Sequence, residues 1–61
     1  MWSVARSRPS DGRVEFIKAI IPGGGIEITT KAQQALRLAS ITAAQALAKE
    51  LEGDWYTVGW R

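Results

Sequence analysis

The spacing of apolar and polar positions changes repeatedly along this chain, and each change marks a structural boundary. Trp2 and Val4 alternate with Ser3, Ala5 and Ser7, the two-residue period of a short strand with one apolar face. Arg8-Pro9-Ser10-Asp11-Gly12 interrupts it, since proline lacks a ladder donor and Asp-Gly favours a turn with positive φ. Arg13 to Ile21 predicts the longest strand, but its apolar side switches midway, from Val14 and Phe16 to Ile17, Ala19 and Ile21. Two explanations are open: both faces are partly covered, or a bulge near Phe16 and Ile17 shifts the phase. Pro22-Gly23-Gly24-Gly25 then reverses the chain, and Ile26 to Thr30 predicts the returning strand, with Ile26 and Ile28 inward and Glu27 outward.

Residues 31–39 carry competing signals. Lys31-Ala32-Gln33-Gln34-Ala35 favours helix by propensity, whereas Ala35-Leu36-Arg37-Leu38 could alternate as a short edge strand. One unbroken helix from Thr30 to Glu52 would place Leu38 and Ile41 among Gln34, Gln45 and Glu52, so a break is expected near Ser40, a favourable N-cap. Beyond it, Ile41, Ala44, Leu47, Ala48 and Leu51 form an apolar stripe opposite Thr42, Gln45, Lys49 and Glu52, predicting a helix from Ile41 to Glu52 with Gly53 as its left-handed C-cap. In the closing strand-like segment Asp54 to Arg61, Tyr56, Val58 and Trp60 share one face, and Trp55, Thr57 and Gly59 the other.

This order predicts a single α+β domain over residues 1–61: a small three- to four-stranded, mainly antiparallel sheet with one main helix packed on one face. The expected core is Val14 or Ile17, Ile20 or Ile21, Ile26, Ile28, Leu36, Ala44, Leu47, Ala48, Leu51 and Val58, with Phe16 and one tail aromatic covering its ends. A sheet covered by one helix leaves its second face open, which favours a protein partner or a homodimer.

Composition mainly excludes. Sixty-one residues bury only about 60% of their unfolded surface, which leaves little room for a deep catalytic cleft. The chain has no Cys and no His, so disulfides, the usual zinc and haem ligands and a His-based nucleophile activation are all missing. No cofactor or metal site is expected, and the acidic residues Glu50, Glu52 and Asp54 read as solvation. The net charge of +2 arises from 8 basic and 6 acidic residues distributed evenly over the chain. No segment approaches the length of a membrane span or carries a signal-peptide pattern, so a cytoplasmic protein without membrane association is expected. The Met1 start without a linker or tag is what a complete small open reading frame would show.

The candidate partner-binding residues are Trp2, Arg6, Arg8, Arg13, Trp55, Tyr56 and Trp60. Arg6, Arg8 and Arg13 flank the first turn with Lys18 further along, although Asp11 and Glu15 sit among them. Tryptophan is a preferred interface anchor and three in so short a chain is unusual, although core packing must claim some of them. Trp55 and Trp60 are separated by an odd number of residues, so they face opposite sides and at most one lies under the helix. Pro22-Gly-Gly-Gly25 is followed by a strand, not a helix, and is read as a hairpin tip, not a phosphate loop.

Thr29-Thr30-Lys31-Ala32 with Ala35, Leu36, Ala39 and Ser40 loosely resembles small excisionase-type DNA-binding domains, but Gln34, Ser40 and Gln45 fall where such motifs bury aliphatics. A resemblance covering more of the chain rests on the order of elements and on Ala35-Leu36-Arg37-Leu38-Ala39-Ser40, Ala43-Ala44-Gln45-Ala46-Leu47-Ala48 and Trp55-Tyr56-Thr57-Val58. In these features the chain resembles small phage or prophage proteins, including anti-CRISPR inhibitors, which implies a compact binder that blocks a host protein or complex. The expected function is therefore a non-enzymatic protein-binding module of phage-inhibitor type, and the alternative is a small nucleic-acid binder using the Arg-rich turn and exposed aromatics.

Overall fold

The computed structural model describes residues 1–60; Arg61, the last residue of the aromatic tail, lies outside the described residues. Among the described residues the strands are β1 (Trp2–Ser7), β2 (Val14–Ile20), β3 (Ile26–Thr29) and β4 (Tyr56–Gly59), and one α-helix, α1 (Ile41–Glu50), precedes β4. They form a four-stranded sheet in the order β3-β2-β1-β4 with every neighbouring pair antiparallel. The helix lies over β1 and β4, on one face.

Both expected causes are present in the second strand: Phe16 is buried on one face and Ile17 on the other, and there is a bulge, although it lies beyond Ile17 and not at Phe16 and Ile17. Ile17 pairs with Ile28 and Ala19 with Glu27, so one residue of β2 is extra and the register shifts between Ile17 and Ala19. The bulge returns Ile20, opposite Ile26, to the side that Ile17 faces. Ile17 is buried and is the chosen member of its pair, whereas Val14 is exposed. Ile28, expected inside, is exposed, and so are both Ile20 and Ile21, of which one is expected inside; α1 covers the β1–β4 half of the sheet and not the β2–β3 half.

The core sits instead on the central strand β1. On the helix side Val4, Ile17 and Ala44 are buried, with Trp2, Ile26, Leu36, Leu38, Leu47, Ala48, Leu51 and Trp55 packed around them. On the other side Ala5, Phe16 and Ala35 are buried, with Ala32, Val58 and Trp60 around them. Val58 thus contributes to the core, but away from the helix. The second face is also less open than expected, since the segment after β3 covers part of it.

That segment resolves the competition at residues 31–39 in favour of neither candidate. Ala32–Gln34 forms one 3-10 turn on the outer face, and the chain then passes between the two central strands. β1 and β2 pair only from Ala5 to Ser7 and from Val14 to Phe16, which leaves a gap beside Trp2–Val4. Leu38 fills it by exchanging backbone hydrogen bonds with Trp2 (2.8 and 2.6 Å), and the Leu36 N–H donates to the Ile17 carbonyl at 2.9 Å. Ala35 is left on one face while Leu36 and Leu38 pack on the other.

Ser40 caps α1 as expected, its hydroxyl accepting from the Ala43 N–H at 3.1 Å. Ser40→Ala is expected to destabilise the domain by about 1 kcal/mol, read from urea unfolding. The other end differs from expectation: the helix stops at Glu50, and Leu51 is its C-cap in an extended conformation (φ −87°, ψ 141°). This turns the Leu51 side chain into the core and starts the descent to β4. Gly53 is therefore not the cap, and its φ of 110° serves the bend between helix and strand.

Candidate functional site

The arginines gather at one end of β1, each against a carboxylate. Arg6 pairs with Glu15 (3.2 Å), directly across the β1–β2 ladder; Arg8 pairs with Glu15 (3.6 Å) and Asp11 (3.6 Å), and Arg13 with Asp11 (3.8 Å). A cleft of about 350 Å³ lies beside them, lined by Arg6, Arg8, Glu15, Gly53 and Asp54 among others. Its charges are mutually compensated, so it presents no cationic track of the kind that follows a phosphate backbone. Among the described residues no cluster of three or more acidic side chains could hold a metal ion.

Each tryptophan has a place in the packing, and none is fully exposed. Trp2 lies across β4: a Cβ built on Gly59, its ladder partner, would meet the Trp2 ring at 3.1 Å, so a larger residue there would require the ring to give way by a few tenths of an ångström. Trp55 lies on the helix side, with the Arg6 guanidinium 4.6 Å from its ring centre and its indole N–H donating to the Glu52 carbonyl at 3.1 Å. Trp60 lies on the opposite face, as parity requires. Its ring is 5.8 Å from Phe16, Arg37 stacks on it at 4.1 Å, and its indole N–H donates to the Ser3 hydroxyl at 2.6 Å. The Ser3 hydroxyl, fully buried, in turn donates a hydrogen bond to the Leu36 carbonyl at 2.6 Å. The fold therefore joins Trp55 to the arginine end of β1 and leaves Trp2 and Trp60 at its other end; Tyr56 is the exposed aromatic.

The arrangement with most capacity to bind lies along β4. An open groove of about 370 Å³ runs between α1 and this strand, lined by Gln45, Ala48 and Lys49 from the helix and by Trp55, Tyr56 and Thr57. The Trp60 N–H donates to the Met1 carbonyl at 2.8 Å, and Val58 and Tyr56 face Ser3 and Ala5 of β1. Pleat alternation then sends the backbone N–H and C=O groups of Thr57 and Gly59 outward, along the edge of the sheet. A backbone ladder and a groove thus run side by side.

Of the groove residues, sequence reading singled out Trp55 and Tyr56 and missed Gln45, Ala48, Lys49 and Thr57. The available signal was the boundary between the apolar and polar stripes of α1, where Ala48 adjoins Gln45 and Lys49. Comparison with family models, with curated proteins and with solved structures found no match. No helix among the described residues is long and apolar enough to cross a membrane.

Proposed function

We propose that this chain is a non-enzymatic protein-binding module that takes an extended segment of a partner as an added strand along β4. The observation that carries this reading is the outward edge of Thr57 and Gly59 beside the α1–β4 groove. In strand addition the main-chain ladder supplies affinity and alternate side chains entering a pocket supply specificity. Here every second guest side chain would enter the groove over Ala48 and Trp55, where an aliphatic group fits. Lys49 at the rim favours an acidic guest residue.

The nucleic-acid alternative draws no support from the arginine cluster, because Arg6, Arg8 and Arg13 are all engaged with carboxylates and Arg6 also covers Trp55. The narrower idea of a phage-type inhibitor rests on the sequence resemblance alone. A small domain that covers an extended segment of another protein would act as such a blocker without any catalytic step.

Decapeptides selected on the chain from a random display library test the proposal. Thr57→Pro removes one outward donor and no bond of the β1–β4 ladder, a substitution edge strands tolerate. It is expected to weaken selected peptides at least about tenfold, the loss of one main-chain bond and of its neighbours' alignment. Unfolding of the free chain should change little. Selected peptides that bind Thr57→Pro as tightly as the parent chain would overturn the reading.

A further inference from the structure

We propose that the opposite edge of the sheet, β3, pairs with β3 of a second copy of this chain, joining two sheets into one. This inference stands on residues separate from the β4 groove. The Ile21 N–H donates to the Gly25 carbonyl at 3.1 Å, so Gly25 faces β2. The extra residue of the bulge lies in β2, and the alternation along β3 is uninterrupted. Glu27 and Thr29 therefore face β2 as well, and the backbone groups of Ile26 and Ile28 point outward from the edge.

A two-fold antiparallel pairing must place outward residues opposite outward residues, which leaves few registers. Centring it on Glu27 sets two carboxylates face to face, which is unfavourable. Centring it on Ile26 places Ile28 against Gly24, inside the partner's turn. Centring it on Ile28 avoids both. Ile28 then exchanges hydrogen bonds with Ile28 of the partner subunit, Ile26 faces Thr30 of the partner subunit, and Glu27 faces Thr29 of the partner subunit. Lys31 of the partner subunit, which follows the bend that ends β3 at Thr30, lies two residues beyond Thr29 of the partner subunit, where its long side chain can reach Glu27. The edge is thus complementary to itself in charge, twice over by symmetry.

The apolar pattern agrees with this register. Ile28 and Ile20 lie on the face that carries α1, but in the β2–β3 half that the helix does not reach, exposed at 38% and 53%. Two-fold pairing brings Ile28 against its copy, with Ile20 and Ile26 flanking it in both subunits. The β4 edges then lie at the two ends of the joined sheet, where each remains open to a guest strand.

Sedimentation equilibrium over a micromolar-to-millimolar series should show the mass rising from 6.7 kDa to twice that value. Ile28→Lys, which sets two ammonium groups face to face at an exposed position, should stay monomeric with an unchanged circular dichroism spectrum. Lys31→Glu should weaken the dimer about tenfold, and Glu27→Lys combined with Lys31→Glu should restore it. A mixed sample of labelled and unlabelled chains should give a cross-subunit contact between the Glu27 and Thr29 α-protons. Thr57→Pro should dimerise like the parent chain, which keeps this test separate from that of the β4 groove. A monomer at every concentration, a dimer that survives Ile28→Lys, a double variant that fails to recover, or a dimer lost with Thr57→Pro would each overturn the proposal.

Discussion

Ser3→Ala is expected to destabilise the domain by about 2–5 kcal/mol, because it strips partners from two polar groups at once. The Ser3 hydroxyl accepts from the Trp60 indole at 2.6 Å and donates to the Leu36 carbonyl at 2.6 Å, and its residue is fully buried. Among the described residues neither partner has a second hydrogen bond to fall back on in this region of contacts between β1, the inserted 36–38 segment and β4. A domain of this length has a total stability of roughly 3–9 kcal/mol, so the variant should be largely unfolded at modest urea concentrations. Loss of the indole bond should also shift Trp60 emission to longer wavelength before the global transition. A change below about 1 kcal/mol would show that the hydroxyl does not organise this junction.

The second large effect is expected at Ile17. Ile17→Ala should cost about 2–5 kcal/mol through lost transfer energy and the cavity left among Val4, Ala44 and Leu36. Ile17→Val should cost only about 0.5–1.5 kcal/mol. By contrast, Ile20→Ala in the monomer should stay within about 0.5 kcal/mol, since Ile20 is 53% exposed. Urea unfolding of these variants at low protein concentration measures the difference. Equal losses at Ile17 and Ile20 would contradict the partial cover of the sheet by α1 that separates their environments.

The contrast between these positions marks how far the sequence could be read. Strand and helix identities followed from local period, and the mid-strand change of face in Arg13 to Ile21 reflects two covered faces as well as a bulge that lies beyond Ile17. The Ser40 cap, the helix stripe through Leu47 and the opposed faces of Trp55 and Trp60 were legible for the same reason: each depends on residues close together in the chain. Strand order was not legible. Without it, β1 could not be recognised as central, so Val4 and Ala5 were overlooked as core and Ile28 with one of Ile20 and Ile21 was assigned to it. Ser3 bonds to residues 33 and 57 positions away, a relation that no local pattern encodes. Residues 31–39 were ambiguous because their conformation is set by the gap they fill between β1 and β2, not by propensity.

The candidate site follows the same division. Tyr56 and Trp55 stood out by residue type, while Thr57 entered only as a backbone position whose outward amide follows from the β1–β4 register. The arginines also stood out, and their pairing with Asp11 and Glu15 turned an apparent basic patch into a compensated network that holds the β1–β2 turn. Surface chemistry in so small a domain is therefore decided by what the fold leaves unpaired.

The most direct measurement of strand addition along β4 is amide hydrogen exchange, resolved by residue, in the free chain and with a selected peptide bound. The account predicts strong new protection at Thr57 and Gly59, with accompanying shifts at Gln45, Ala48 and Lys49 and little change at Arg6, Arg8 and Arg13. Protection confined to the arginine end of β1, with Thr57 and Gly59 exchanging as fast as in the free chain, would contradict it.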